Sequence, residues 1–231
     1  MKDSKLVGEK TVFNPTQYTL EEILKPQNCA LLVIDMQNDF MHPKGFFAKR
    51  NGDIIQMQSI VPNIQELIDV AHDKNISVIF TKIHDEEDKL NKPGLRRKIK
   101  WQEAGEDPLV GPKEGTFGAE FYKLKPEAKD TTLIKYDWSA FTGRDDKRRS
   151  LEEILKEKDI TTLVITGVKT EVCVGTTARD AYMRGYFVVV PREAVGSDNK
   201  ELHEANLRNL DPIYGDVVGE EKIIKIWSNS S

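Results

Sequence analysis

Short apolar runs alternate with amphipathic stretches along most of the chain. Six of these runs are rich in Val, Ile or Leu, and in chain order they read ALLVID, ISVIFTKI, TTLIKY, ITTLVITG, YFVVVP and KIIKIW. Their residues are apolar in succession rather than in alternation, which is typical of strands that are covered on both faces. The pattern therefore predicts six strands of a parallel sheet.

Helical patterns lie between most of these runs. The stretch SIVPNIQELIDVAHDKN places its apolar residues on one stripe, and DDKRRSLEEILKEKDI does the same with Leu151, Ile154 and Leu155. A third stretch, EVCVGTTARDAYMRGY, leads to Gly185, which suits a helix C-cap, and KELHEANLRNL precedes the last apolar run. This alternation of strands and helices predicts a three-layer α/β/α domain with right-handed crossovers.

No internal repeat or linker interrupts the alternation. Residues 1–28 are polar and mixed, with one helical turn expected from Leu20 to Leu24. We therefore predict an N-terminal arm over residues 1–28 and one domain over residues 29–231. Residues 84–130 lack clear periodicity and carry dense charge, as in HDEEDKLNKPGLRRKIK. A connection of this length is usually a lid or a binding loop, and we expect most of its charged side chains to be solvated.

Composition narrows the class of protein. Hydrophobic residues make up 39% and charged residues 31% of the 231 positions, with a net charge of −4. These values are typical of soluble globular proteins and disfavour general binding to nucleic acid or to an anionic membrane. No run approaches ~18 consecutive apolar residues, and the N-terminus lacks the apolar core of a signal peptide. We therefore predict a cytoplasmic protein in which Cys29 and Cys173 are free thiols.

Three reactive side chains follow the ends of predicted strands. Asp35 ends the first strand, Lys135 ends the third, and Cys173 opens the helix after the fourth. Ligands of open α/β sheets bind outside the carboxyl ends of the strands. Each residue alone has an ordinary structural explanation, because an Asp can cap a turn and a helical Cys is more often a buried filler. The coincidence of all three favours a site.

The turn that carries Cys173 suggests an activated thiol. We expect Thr170 to be the N-cap of the following helix, with its hydroxyl bonded to a backbone amide. The helix dipole, the exposed amides and Lys135 would then lower the pKa of the Cys173 thiol. The same amides could hold an oxyanion.

Motifs for other chemistries are absent. The chain has neither a dinucleotide or phosphate-binding glycine motif nor a C-x-x-C pair, so we predict no cofactor. His42, His72, His84 and His203 are scattered and form no H-x-H, D-x-H or H-x-x-x-H pair, so we predict no metal site. We expect His72 and His203 on helix surfaces and His84 in a polar role at the end of the second strand.

Three longer motifs resemble those of a known superfamily. LLVIDMQNDF, LIKYDWSAF and TGVKTEVCVGTTARDAYMRGY, in this order, are similar to motifs of the isochorismatase-like, or cysteine amidohydrolase, superfamily. The resemblance extends from about Cys29 to Trp227, nearly the whole chain. It implies a Rossmann-like α/β/α fold with a six-stranded parallel sheet, and thus a hydrolase domain over residues 29–231.

The resemblance also implies the roles of the residues at the strand ends. Asp35, Lys135 and Cys173 match the Asp–Lys–Cys triad of the superfamily. A cis peptide bond is implied between Val168 and Lys169, with the backbone amides of Lys169 and Cys173 as the oxyanion hole. In the implied mechanism, Asp35 deprotonates the thiol, Lys135 stabilises the charged pair, and the thiolate attacks an amide carbonyl to give a thioester that water hydrolyses.

The branches of the superfamily differ in their substrates. Isochorismatases proper cleave a vinyl ether and often lack the cysteine, so Cys173 points to amide chemistry. Nicotinamidases carry a metal site built on an Asp-x-His pair, whereas here Asp53 is followed by Ile54 and Ile55. The remaining branches act on small linear amides such as N-carbamoylsarcosine, ureidoacrylate, biuret and maleamate, and GTFGAEF (residues 115–121) resembles the carbamoyl and ureido amidases. The resemblance thus implies an amidohydrolase for a small carbamoyl or ureido acid, with nicotinamidase or isochorismatase activity as the alternative.

Several further features stay open at this level. Phe40, Phe117 and Trp138 are candidates to line the substrate pocket, although Phe40 and Trp138 suit core packing equally well. A substrate carboxylate needs a cation, and three arginines are candidates: Arg96, Arg97 and Arg179. An interaction protein that has lost catalysis and a thiol redox sensor are the other function classes, and the intact triad and the lack of a resolving cysteine disfavour them. The superfamily also implies a homodimer or homotetramer.

Overall fold

The computed structural model describes residues 18–50, 52–105 and 111–230. A parallel sheet runs through it, with strand order β3-β2-β1-β4-β5-β7 and a short β6 paired with β4. The strands are β1 (Cys29–Ile34), β2 (Ser77–Ile83), β3 (Thr131–Lys135), β4 (Thr162–Val168), β5 (Phe187–Pro191), β6 (Val195–Gly196) and β7 (Asp216–Val218). The predicted α/β fold with a parallel sheet is confirmed.

Helices flank the sheet. They are α1 (Leu20–Ile23), α2 (Asn38–Met41), α3 (Phe46–Lys49), α4 (Ile54–Ser59), α5 (Val61–Asp73), α6 (Lys92–Glu103), α7 (Leu151–Glu157), α8 (Gly175–Met183), α9 (Lys200–Ile213) and α10 (Glu220–Asn229). None of the helices in the described part of the chain is both long enough and apolar enough to cross a membrane.

The centre of the sheet is its most buried part. Every residue of β1 and β4 is buried, because these strands are neighbours with further strands on both sides and helices over both faces. Their register pairs Ile34 with Gly167, so the two strands end at the same level. Gly167 has a positive φ of 105°, and a Cβ there would lie 2.1 Å from the Ile34 carbonyl oxygen. A glycine is therefore required where these two strand ends approach each other.

The last apolar run is a helix and not a strand. KIIKIW lies within α10, where Ile223 and Trp227 are four residues apart and fully buried. In a helix this spacing places both side chains on one face, which packs into the core. The strand at that edge of the sheet is β7, which pairs with β5.

The connection over residues 84–130 contains a helix that the sequence pattern did not reveal. Helix α6 begins after Asn91, whose side chain accepts the Gly94 N–H at 2.7 Å, and Pro93 occupies its first turn. Most of its residues are exposed, so its apolar periodicity is weak. Capping, rather than a broad apolar stripe, was the local signal for this helix.

The predicted N-terminal arm is described only from residue 18, and its residues 1–17 lie outside the described part of the chain. The predicted helical turn is α1. Ile23 and Leu24 at its end are buried in the core, and the Ile23 carbonyl accepts the Thr162 hydroxyl at 2.6 Å. Residues just before β1 therefore pack against the central strands.

Candidate active site

Three strand ends bring Asp35, Lys135 and Cys173 together. The Nζ atom of Lys135 lies 2.7 Å from Oδ2 of Asp35 and 3.4 Å from Sγ of Cys173. Asp35 and Lys135 are fully buried, and Cys173 is 5% exposed. The predicted meeting of a carboxylate, an ammonium and a thiol is therefore present, while the catalytic role of each stays a prediction.

Asp35 is held in an unusual backbone conformation directly after β1. Its φ is 49°, in the left-handed region that residues other than glycine rarely occupy. The Thr81 hydroxyl donates to Oδ1 of Asp35 at 2.6 Å and accepts the Asp35 N–H at 3.2 Å. Thr81 thereby fixes the carboxylate so that Oδ2 faces Lys135. Sequence reasoning missed Thr81, because its position inside the apolar run of β2 carries no local sign of this contact.

Lys135 keeps its charge inside the protein. Burial lowers the pKa of its ammonium, but the negative charge of Asp35 and the contact with Cys173 more than offset this, and the net pKa is raised. The ammonium also donates to the Asp137 carbonyl at 3.1 Å. The side chain is therefore a protonated cation beside the thiol.

The thiol is not acidic in the way that the sequence suggested. Burial raises the pKa of Cys173 above its ordinary value, and the charge of Asp35 adds to the rise, whereas Lys135 opposes it. The prediction of a lowered pKa is wrong because it considered the helix dipole and Lys135 but not the loss of water around the sulfur. Proton removal from this thiol therefore needs a base in contact with it.

Cys173 lies in a π-helical turn, Thr170–Val174, which continues into α8. The peptide bond between Val168 and Lys169, just before the turn, is cis, as the resemblance implied. Thr170 is not an N-cap, because its hydroxyl pairs with Nδ1 of His203 at 2.8 Å. Asn206 of α9 donates to the Thr170 carbonyl at 2.7 Å. Helix α9, rather than a local cap, holds the start of the turn.

His203 also corrects a prediction. It is 6% exposed and faces the turn instead of lying on the helix surface. Burial lowers the pKa of its imidazole, which favours a neutral ring. Sequence reasoning missed it because a single histidine on an amphipathic helix does not reveal which element packs over it.

The side chain of Lys169 is already engaged. Its Nζ atom lies 2.6 Å from Asp198 and 3.1 Å from Glu171. Burial lowers the pKa of this ammonium, but the two carboxylates outweigh burial and the net pKa is raised. Only the backbone amide of Lys169 remains for the predicted oxyanion hole, which it would share with the amide of Cys173.

The predicted pocket aromatics differ in their surroundings. Phe40 is 8% exposed and packs against Phe47 in the core, with ring centres 5.4 Å apart. Phe117 is 52% exposed and packs edge-on against His42 at 4.9 Å. Trp138 is half-buried and follows Lys135 by three residues. Of the three, Trp138 is the nearest in sequence to the buried ion pair, and a substrate contact stays a prediction for all of them.

The sequence pattern did not reveal the contacts of two buried residues near the triad, His84 and Gln37. His84 is 4% exposed, and its backbone N–H donates to the Lys135 carbonyl at 2.9 Å. Neither nitrogen of its ring has a hydrogen-bond partner in the described part of the chain. Burial lowers the pKa of its imidazole. Gln37 is fully buried and bridges Ile83 of β2 to the Ala119 carbonyl. Gln37 thereby ties the segment after Asp35 to the end of β2 and to Ala119, and the His84 N–H ties the end of β2 to the end of β3.

The other histidines are not arranged as metal ligands. Within residues 18–50, 52–105 and 111–230, no group of three or more His, Cys, Asp or Glu side chains could hold a metal ion. His72 is instead paired with Asp130 at 2.8 Å. Asp53, which would begin the Asp-x-His pair, caps α4 by accepting the Ile55 N–H.

Known proteins are similar to this chain over most of its length. A family model described as the isochorismatase domain matches residues 29–222, a span that includes all three strand ends. Ureidoacrylate amidohydrolase RutB of Acinetobacter baylyi is 26% identical over 217 residues, covering 90% of this chain and 86% of that protein. A protein of Arabidopsis thaliana named "probable inactive nicotinamidase" is 31% identical over 188 residues, covering 80% and 88%. A crystal structure of an isochorismatase-like hydrolase from Alkaliphilus metalliredigens superposes with a TM-score of 0.68 at 26% identity, covering 88% and 99%.

Proposed function

The chain belongs to the isochorismatase family, and we propose that it is a cysteine hydrolase that cleaves the C–N bond of a small linear amide or of a carbamoyl or ureido acid. The observation that carries this proposal is the buried contact of Lys135 with both Asp35 and Cys173. A structural ion pair needs no thiol beside it, whereas a thiol that acts as a nucleophile needs an adjacent base to remove its proton, and a nearby cation stabilises the thiolate. The family membership and the similarity to a ureidoacrylate amidohydrolase support the same class of reaction.

In the first half-reaction, Asp35 takes the proton of the Cys173 thiol, and the thiolate sulfur bonds to the amide carbon. Lys135 stabilises the developing thiolate, whose formation is otherwise opposed by burial. The amides of Lys169 and Cys173 donate to the oxyanion of the tetrahedral intermediate. When the C–N bond breaks, Asp35 returns its proton to the leaving nitrogen, and ammonia or an amine departs.

In the second half-reaction, water attacks the thioester carbon and Asp35 removes a proton from that water. The C–S bond breaks, the acid or carbamate product leaves, and the proton returns to sulfur. Asp35 therefore serves as base and acid in both half-reactions. Its replacement by Asn should cost more than the ~10²–10⁴-fold that one general acid–base contribution typically provides.

Nicotinamidase and isochorismatase activity are the alternatives, and the substrate screen described below includes a substrate for each. The similarity to a protein with a nicotinamidase name motivates nicotinamide as a test substrate. The absence of an Asp-x-His pair at Asp53 weighs against that reading. The vinyl ether hydrolysis of isochorismatases is tested with isochorismate, and we expect the presence of Cys173 to favour amides over both.

The test is a screen of the purified full chain for ammonia and amine release on carbamoyl acids, ureido acids, simple amide acids and nicotinamide, and for pyruvate release on isochorismate. We expect turnover of one of the first three classes. Cys173→Ala should abolish it, and acid quenching of the wild type should trap an acyl adduct on Cys173 by mass spectrometry. Cys29→Ala is the matched control and should retain near-normal activity, because Cys29 begins β1, at the opposite end of that strand from Asp35. Turnover by a folded Cys173→Ala variant would contradict the proposal.

A further inference from the structure

Helix α6 is fastened to the end of the sheet that carries the triad. Its N-cap residue Asn91 donates to Oδ2 of Asp137 at 2.5 Å. Lys98, which is buried, lies 3.2 Å from Asp85 and 3.0 Å from Glu87. Because Asp85 follows β2 and Asp137 follows β3, the helix is held against both strand ends. Its inward-facing side chains are therefore part of the active-site surroundings.

Arg97 is the side chain of α6 that contacts Trp138, three residues after Lys135. The carbon of its guanidinium lies 4.3 Å from the ring centre of Trp138 and 5.4 Å from that of Trp101. Its Nε atom is buried and has no hydrogen-bond partner in the part of the chain that the structure describes. The two rings hold the cation by cation–π attraction but accept no in-plane hydrogen bond. A buried guanidinium donor without an acceptor costs free energy, which a ligand acceptor would recover.

The cations at the neighbouring strand ends already have acceptors. These pairs are Lys82 with Glu120, Lys135 with Asp35 and Lys169 with Asp198. The other two arginines named as candidates are also engaged. Arg96 pairs with Glu103 at the surface, and Arg179 donates to the Gly175 carbonyl and to Asn206. Among these described cations, Arg97 is the one with a buried donor that has no acceptor.

Arg97 and the thiol lie against the same short segment. Lys135 contacts Cys173 and donates to the Asp137 carbonyl. The residue after Asp137 is Trp138, and the Arg97 guanidinium lies over its ring. A guanidinium presents parallel N–H groups that match a carboxylate. Resting on the proposed function, we propose that Arg97 binds the carboxylate of the substrate. The substrates are then small anionic amide acids rather than neutral amides.

The first test uses covalent labelling and needs no turnover. In a Cys29→Ala background, Cys173 is alkylated with iodo acids of two to four carbons and, separately, with the neutral amide of each acid. For at least one chain length, Arg97→Gln should slow the acid about tenfold or more, the loss expected when a charge-assisted hydrogen bond is removed. The rate with the matching amide should change less than twofold. Arg96→Gln removes an equal charge from the same helix and should change neither rate.

The outcomes separate this inference from the proposed function. If Arg97→Gln slows acid and amide equally, or changes neither at any chain length, or if Arg96→Gln gives the selective loss instead, the assignment of Arg97 is wrong. If Arg97→Gln slows only alkylation by the acid, and the wild type hydrolyses no amide, then Arg97 binds a carboxylate but the proposed hydrolase activity is wrong. Where turnover is found, kcat/KM for the amide acid should fall in Arg97→Gln, mainly through a higher KM, and the methyl ester of that acid should be unaffected. Circular dichroism and thermal melting verify that each variant is folded.

Discussion

Three atoms surround the ammonium of Lys135. They are Oδ2 of Asp35, its ion-pair partner at 2.7 Å, and two hydrogen-bond acceptors, the Asp137 carbonyl at 3.1 Å and Sγ of Cys173 at 3.4 Å. With two of its three donors used and the ion pair on its remaining side, Lys135 cannot bind substrate without loosening one of these contacts. At the scale of single residues, Lys135 therefore adjusts the charge of its neighbours, and recognition of the substrate must come from other groups.

Removing this charge should make the thiol less reactive. Lys135 lowers the pKa of Cys173 against the effect of burial, so Lys135→Met should raise that pKa further. We expect the rate of iodoacetamide alkylation of Cys173 at pH 8, with Cys29 replaced, to fall about tenfold or more, since a tenfold change corresponds to only ~1.4 kcal/mol. Lys82→Met is the control, because Lys82 pairs with Glu120 and not with the triad. An unchanged rate in a folded Lys135→Met variant would mean that the triad, as proposed, is wrong.

At the scale of elements, the nucleophile turn depends on α9. Thr170 is fully buried, and both its hydroxyl and its carbonyl bond to α9, through His203 and Asn206. Arg179 of α8 in turn donates to Asn206 at 3.0 Å. The two helices therefore position the turn that carries Cys173, although neither contributes a group to the triad.

Truncating this contact should destabilise the protein. Asn206→Ala removes the side-chain donor to the buried Thr170 carbonyl, which keeps the Gly175 N–H, and removes an acceptor of Arg179. We expect the free energy of unfolding to fall by ~1 kcal/mol or more in urea denaturation, the typical net contribution of a hydrogen bond. Asn209→Ala is the control. Asn209 follows Asn206 by three residues on α9 and makes an exposed contact with Arg179, so its loss should lower the free energy of unfolding by less than ~0.5 kcal/mol. Equal losses in the two variants would show that the Thr170 contact is not the source of the stability.

The start of α10 should make stability depend on pH. Burial raises the pKa of Glu220 to about 7 from 4.5, and the charges of Glu193, Glu66 and Glu221 add to the rise. A carboxyl with a raised folded pKa stabilises the fold below its unfolded pKa, and this contribution is lost as the pH rises from 4.5 through 7. Glu220→Gln, which stays neutral, should therefore melt at a higher temperature than the wild type at pH 8 but not at pH 4.

The matched control for this pH dependence is Glu201→Gln. Glu201 lies in the first turn of α9, is exposed, and is not one of the carboxylates that raise the pKa of Glu220. We expect the melting temperature of this control variant to follow that of the wild type at both pH values. A Glu220→Gln variant with the wild-type difference between pH 4 and pH 8 would show that the carboxyl of Glu220 is not the group responsible.

At the scale of the whole molecule, the parallel sheet creates the site. Strands β3, β2, β1 and β4 are consecutive neighbours, so their carboxyl ends lie along one edge. Lys135 on β3 and Asp35 after β1 are separated by β2, about 10 Å from strand to strand. A long side chain is needed to cross that distance, and lysine supplies both the length and the charge. The site is therefore a property of strand order as much as of the three residues.

The same molecule offers no cluster of metal ligands in the part that the structure describes. We therefore expect hydrolysis by the purified chain to survive prolonged treatment with EDTA and with phenanthroline. Activity before and after treatment, with a buffer-only incubation alongside, is the measurement. Loss on chelation followed by recovery with zinc or manganese would instead favour a nicotinamidase-type site.

Much of the architecture was accessible from local pattern. Apolar runs without alternation correctly indicated strands β1 to β5. A strand that is buried on both faces needs an apolar residue at nearly every position, so its pattern is visible in the sequence. The order of Asp35, Lys135 and Cys173 after three of these strands indicated their convergence, since parallel strands end on one side. The pattern failed for KIIKIW, where two buried residues of α10 are compatible with either period over so short a run.

The sequence by itself determined which side chains reach the carboxyl edge of the sheet, because side-chain period and strand direction are local properties of the chain. Only the tertiary structure decided their environment. It turned the Thr170 hydroxyl from a local cap toward His203 and buried the Cys173 thiol so that its pKa rises. It also left Arg97 between two tryptophans, with no acceptor for Nε among the residues that the structure describes. These properties depend on which distant segment excludes water or supplies a partner at each atom. Contacts across tens of residues leave no period in the sequence, so they appear only when the elements have packed together.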